Sequence, residues 1–239
     1  MMRLGVAGES ESDVAKVTAL ADRLVEEGVD WIDPEVIDAF RRWCGLGDSA
    51  WVDLHKVQRL ARRKGLRLYG HFDGEPGALD ASMHRALLVL FALESTPPSV
   101  VVVARDIDGQ DERRAGFEQA LGERTWPFEV VGALAAPEIE AWLIAAWTPE
   151  TAADHAALKE VRAQLGFDPT SSPERLTSGK RTDKKETKRI LDLLCATGRS
   201  AEERWEDTPL DERLLSAGRR CGLADFVDGI RDKLLPLLR

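Results

Sequence analysis

The chain has 239 residues, of which 44% are hydrophobic and 31% charged, and a formal net charge of −9. This balance excludes a disordered or fibrous chain and leaves room for one domain with an appendage or for two small domains. Net acidity supplies no global attraction for nucleic acid, so any such contact needs a local basic patch.

The opening stretch MMRLGVAGES has no basic segment followed by a long apolar one, so no signal peptide is expected. Arg3–Ala7 reads as a short strand ending at Gly8. Ser12 is the expected N-cap of a helix whose apolar stripe is Val14, Val17, Leu20, Ala21 and Leu24, with Gly28 ending it. Val29–Ile32 reads as a second short strand, and Pro34 as the first residue of a helix running to Trp43. Asp53–Lys64 reads as a helix with a basic second half, Leu66–Gly70 as a strand and His71–Gly77 as a loop. Asp80–Leu93 is apolar almost all round and therefore a buried helix. Its most apolar run, Ala86–Leu93, is too short to span a membrane. After Pro97–Pro98 come the strand VVVARD, a helix over Asp111–Leu121, a strand over Phe128–Leu134 and a helix opened by Pro137 in PEIEAWLIAAW.

This alternation predicts an α/β fold, a mostly parallel Rossmann-like sheet flanked by helices, over residues 1–147. Residues 148–239 are predicted to be a helical C-terminal region packed on it. Thr151–Gly166, Asp183–Ala196 and Leu223–Leu238 read as helices, and Asp183 with Glu186 as a capping box. Phe167–Thr182, rich in Pro, Ser, Thr and Gly, reads as a long loop, of a length that is usually functional or mobile.

In such sheets ligands bind at the carboxyl ends of the strands. Glu9 follows the first strand, and Asp106 and Asp108 end the strand VVVARD. If the extended geometry continues through Ile107, both aspartates project to one side. Two adjacent carboxylates repel each other, and a hard divalent cation, Mg²⁺ or Mn²⁺, removes the conflict. The competing reading of Asp106–Gly109 is a simple turn.

The set LGVAGES with VVVARDID resembles a Toprim domain, the fold shared by topoisomerases, bacterial primases and OLD-family nucleases. Here Gly8 precedes the glutamate, whereas the family's pattern has the glycine after it. The resemblance to OLD-type nucleases implies a further acid one helical turn after Glu9, at Asp13, and another glutamate after the next strand, at Glu138 or Glu140. It also implies a catalytic lysine, for which Lys180, Lys184 and Lys185 are the candidates. PEIEAWL resembles a segment of small stand-alone Toprim-like proteins of bacterial defence islands. The resemblance thus implies a Mg²⁺- or Mn²⁺-dependent nuclease of DNA or RNA in phage defence, with a partner ATPase. A homodimer is one expected assembly, with no membrane association. Two other readings stand beside it: a phosphatase similar to the haloacid-dehalogenase type, with Asp106 as nucleophile, and a non-catalytic Toprim-like partner subunit. Against the phosphatase, Gln110 follows the glycine and the motif sits mid-chain. Topoisomerase chemistry is not expected, because the only tyrosine, Tyr69, sits on a predicted strand.

Cys44, Cys195 and Cys221 are far apart and form no CxxC pair, so they read as reduced thiols in a cytoplasmic protein. His55, His71, His84 and His155 have no HxxxH spacing, which argues against a histidine metal site. His71 and Asp73 read as loop residues. Trp142 and Trp147 lie in so apolar a helix that they read as core or interface residues. Two basic segments, Lys180–Arg189 and the run with Lys56, Arg59, Arg62, Arg63 and Lys64, are candidate tracks for a phosphate backbone or else solvated helix faces.

Overall fold

A computed structural model describes residues 1–31, 37–66, 78–196 and 198–239. It is an α/β fold with a five-stranded, mostly parallel sheet flanked by helices. The strands are β1 (Met2–Gly8), β2 (Arg41–Cys44), β3 (Val52–Asp53), β4 (Val100–Asp106) and β5 (Glu129–Ala135). They are ordered β2-β1-β4-β5, with β3 also pairing β1. β1 runs parallel to its three partners: Leu4–Ala7 lie opposite Val100–Val103 on one side, while Met2–Gly5 face β2 and Ala7–Gly8 face β3 on the other. The run of buried valines in β4 follows from this central place, since a parallel strand covered on both faces needs apolar residues in both directions.

The residues fall into two compact units. The first comprises Met1–Arg105, Gln110–Ala133 and Phe226–Arg239, and the second Asp106–Gly109 and Leu134–Asp225. The first holds α1 (Glu11–Gly28), α2 (Ile37–Phe40), α3 (Val57–Arg63), α4 (Ala78–Ala92) and α5 (Asp111–Gly122). The expected stripe of α1 is buried. Its cap is Ser10 rather than Ser12: the Ser10 hydroxyl accepts the Asp13 N–H at 3.2 Å, so the helix starts two residues earlier. Residues 29–31 form no strand. A strand, β2, takes up Arg41–Cys44 where a helix to Trp43 was expected. Pairing with β1 overrides the local helical pattern, and Asp22 of α1 fastens the strand by accepting from Arg41 Nε (2.7 Å) and Nη2 (2.6 Å) and from Trp43 Nε1 (2.9 Å). The helix expected from Asp53 begins only at Val57, because Val52–Asp53 joins the sheet and Leu54–Lys56 forms a 3-10 turn. Pro34, the strand expected beyond Leu66, Tyr69, His71, Asp73 and the loop to Gly77 lie outside the described residues.

α4 is buried as its composition dictates. His84 sits inside it, edge-on to Phe117 at 5.2 Å. Burial, aided by the nearby Arg105 charge, pushes its imidazole down to about 3, so it is a neutral core residue. Cys44 and Cys221 are buried, Cys195 is half-buried, and all three are free thiols.

The second unit holds α6 (Glu140–Ala146), α7 (Ala152–Leu165), α8 (Thr187–Leu194), α9 (Ala201–Asp207) and α10 (Glu212–Gly218). α11 (Leu223–Lys233) begins in it and ends in the first unit. α6 is its hub: Ala141 through Ala146 are buried, and the Trp142 indole donates to the Cys221 carbonyl at 2.8 Å. Trp147, just beyond, is also core. α7 is bounded as expected, by a Thr151–Asp154 capping box and by Gly166 in the left-handed conformation that only glycine adopts at low cost. α8 starts later than expected. Glu186, not Asp183, is its N-cap, and its carboxylate accepts the Arg189 N–H at 2.6 Å. Among the described residues no helix is long and apolar enough to cross a membrane.

A buried ion pair ties α7 to α9. Asp154 accepts from the backbone N–H groups of Glu150 and Thr151 and from Arg204 Nη2 at 2.9 Å, while Arg204 Nη1 donates to the Thr148 carbonyl at 2.8 Å. Burial alone would raise the Asp154 pKa, but these donors outweigh it and hold the carboxyl below its ordinary value of 3.8. Such a group contributes stability above its unfolded pKa and loses it as pH falls through the folded one. Asp154→Ala is therefore expected to cost about 3 kcal/mol in urea unfolding at pH 7, because it strands a buried guanidinium. The gap between wild type and Asp154→Asn should narrow once pH drops below 3.8, and an undiminished gap there would contradict the pairing.

Candidate metal centre

The strand β4 ends at Asp106, and the chain does not continue extended. Ile107 donates its N–H to the Ala135 carbonyl at 2.8 Å and buries its side chain. Asp108 then turns into the left-handed region at φ 53°, followed by Gly109 at φ 68°. Aspartate and glycine are the residues that tolerate this backbone. The two carboxylates converge through that turn rather than through the strand alternation expected from their spacing.

The facing segment is shaped by the same contacts. Asp108 donates its N–H to the Pro137 carbonyl at 2.8 Å, and the Asp106 carboxylate accepts the Ile139 N–H at 3.0 Å. The Ala136–Pro137 peptide is cis, and α6 begins only at Glu140, so Pro137 is not the first-turn residue that its position predicted. Glu138 is consequently delivered from the connection and not from the helix. Its carboxylate joins Asp106 and Asp108, each residue offering one oxygen, with all three within 4.8 Å of one another.

Glu138 is only 5% exposed. Burial raises its pKa, Lys188 opposes that shift, and the charges of Glu140 and Glu186 reinforce it. Lys188 Nζ lies 3.0 Å from Glu138 Oε2 and 4.0 Å from Glu140 Oε2. Burial alone would lower the lysine pKa, yet Glu140, Glu138 and Asp106 together raise it. The acids around Lys188 thus outweigh its burial, whereas burial is the first cause that raises Glu138. Glu138 Oε1 is buried with no hydrogen-bond donor among the described residues. An all-oxygen set with an uncompensated buried acceptor suits a hard divalent cation such as Mg²⁺ or Mn²⁺. Asp106, Asp108 and Glu138 can thus hold a metal ion.

The other expected residues have the following surroundings. Glu9 lies in the first unit, where it pairs with Arg105, whose Nη2 also donates to Asp80 at 2.6 Å. Asp13 sits in the first turn of α1, where an acid suits the helix dipole. Glu140 opens α6 and meets Lys188. Lys180, Lys184 and Lys185 are all exposed, in the segment before α8. The lysine at the carboxylates, Lys188, was not a candidate. Taking Glu186 as the helix cap was the available signal, since it starts α8 at Thr187 and puts Lys188 in the first turn beside a buried stripe of Ile190, Leu191 and Leu194.

No protein-family model matches the chain, and no curated protein and no solved structure matches it.

Removing the Lys188 charge should expose the conflict among the carboxylates. Lys188→Met is expected to lower the stability of the metal-free protein by about 1 kcal/mol, a figure discounted because the lysine is partly exposed. Millimolar Mg²⁺ or Mn²⁺ should restore that loss in thermal unfolding, whereas no recovery in the variant and no metal-induced shift in the wild type would argue for a plain ion pair.

Proposed function

We propose that the protein is a Mg²⁺- or Mn²⁺-dependent phosphodiesterase acting on nucleic acid. The observation that carries this reading is the convergence of Asp106, Asp108 and buried Glu138 beside a lysine. The resemblance of LGVAGES and VVVARDID to Toprim nucleases supports it from the sequence side. On the same resemblance, we place the activity in phage defence with a partner ATPase.

Each residue has a task in this reading. Asp106 is oriented by the Ile139 N–H, and Asp108 by its own left-handed backbone, so the two carboxylates are held ready without reorganisation. Glu138 adds a third oxygen from a poorly hydrated position, where its charge acts at low dielectric. Bound there, a divalent cation supplies activation of water and neutralisation of the phosphate. Lys188 offsets negative charge that builds on the phosphoryl oxygens as the bond breaks. It takes the role expected of Lys180, Lys184 or Lys185, because its ammonium lies 3.0 Å from Glu138. Glu9 is left out of the ligand set, since Arg105 already engages its carboxylate.

Plasmid, single-stranded DNA and tRNA incubated with Mg²⁺, Mn²⁺ or chelator provide the test. Cleavage should require the metal and fall about 100-fold or more in Asp106→Asn, Asp108→Asn and Lys188→Met. Metal-dependent cleavage that survives the combined Asp106→Asn, Asp108→Asn change would overturn the assignment, and no cleavage of any of the three substrates would favour a non-catalytic subunit.

A further inference from the structure

We infer that the outer face of α3 is a docking surface for the phosphate backbone of nucleic acid; this rests on the proposed function and names where its substrate is held. α3 is anchored by Val57 and Ala61, one helical turn apart and both fully buried. At about 100° per residue, Arg59, Arg62 and Arg63 fall within roughly 60° of the direction opposite those anchors. Lys64, the helix C-cap, flanks them, and all four side chains are exposed.

These cations have no acidic partner among the described residues, although the chain carries 42 acidic against 33 basic residues. Other basic side chains of the first unit find acids: Arg3 meets Glu94, Arg41 meets Asp22, Arg85 meets Glu123, and Lys56 just before α3 meets Asp53 at 2.7 Å. Three neighbouring guanidinium groups without counter-charge repel one another; the phosphates of an external polyanion neutralise them, and release of the polyanion's condensed counterions drives the association. Over the ~5.4 Å of one helical turn, a duplex presents about three phosphates, a density that matches the three arginines. Arginine is also the side chain whose planar fork engages phosphate oxygens in pairs. The exposed face of α3 carries no apolar side chain to enter a bilayer, which a membrane-binding helix requires, so the partner is nucleic acid and not a lipid surface.

Binding is measured by fluorescence anisotropy of labelled single- and double-stranded DNA and RNA oligonucleotides. The series runs from low to moderate salt, in chelator so that no cleavage intervenes. Wild type should bind with a clear salt dependence. The triple change Arg59→Gln, Arg62→Gln, Arg63→Gln, which keeps good helix formers, should weaken binding about tenfold or more and reduce the slope of log K against log salt by about 2 to 3. Arg59→Lys, Arg62→Lys, Arg63→Lys, tested alongside for unchanged thermal unfolding, should keep most of the slope. Unchanged affinity and slope in the glutamine variant would overturn the inference while leaving the metal-dependent chemistry untouched. Binding through α3 by a protein that cleaves nothing would sustain it while the nuclease reading fails. Absence of nucleic-acid binding in the wild type, or arginine-dependent binding only to anionic phospholipid vesicles, would also overturn it.

Discussion

Like charges held together need a reason, and Asp106, Asp108 and Glu138 are held together by the backbone itself. The turn after β4 is pinned from both sides, through Ile107 to the Ala135 carbonyl and through Asp108 to the Pro137 carbonyl. Those same contacts fix the connection that carries Glu138. The backbone that carries the carboxylates cannot shift without breaking these hydrogen bonds. The cost of their proximity is offset in part by Lys188, while burial first, and then the charges of Glu140 and Glu186, still raise the Glu138 pKa. A small, hard, doubly charged ion is the species best suited to complete that offset.

Rigidity around this turn comes from the packing behind it. α6 is buried from Ala141 to Ala146 and begins two residues after Glu138. Trp142 and the Ala136 N–H both donate to the Cys221 carbonyl, so the connection and the helix are tied to one point of the chain. α8 contributes Lys188 from its first turn, and its position is set by Glu186, a buried cap whose carboxylate is committed to the Arg189 N–H. A site whose turn and connection are pinned by hydrogen bonds to a strand end and packed helices is better organised for chemistry than one on a free loop.

Much of this was legible in the sequence, for identifiable reasons. β4 declared itself through four consecutive valines and a terminal charge pair, and α1, α4 and α7 through apolar spacing or caps. Asp106 and Asp108 were visible because charge at the end of a buried strand is unusual. β2 was hidden because RRWC pairs with β1 across the sheet, a contact that no local pattern encodes. Ser10 and Ser12 are both sound caps by type, and Asp183 is a better cap type than Glu186; the observed hydrogen bonds nevertheless select Ser10 and Glu186. That second ambiguity moved the start of α8 and with it the choice of lysine. Pro137 read as a helix opener because proline is favoured there, yet its carbonyl is recruited by Asp108, two residues beyond the end of a strand distant in sequence.

Diffraction from crystals soaked in Mn²⁺ and measured for anomalous signal would decide whether charge balance at this turn is met by metal. A peak about 2.0–2.2 Å from oxygens of Asp106, Asp108 and Glu138 is the expected result. Saturating Mn²⁺ with no peak there, and Lys188 Nζ still 3.0 Å from Glu138 Oε2, would show that the lysine alone satisfies the carboxylates.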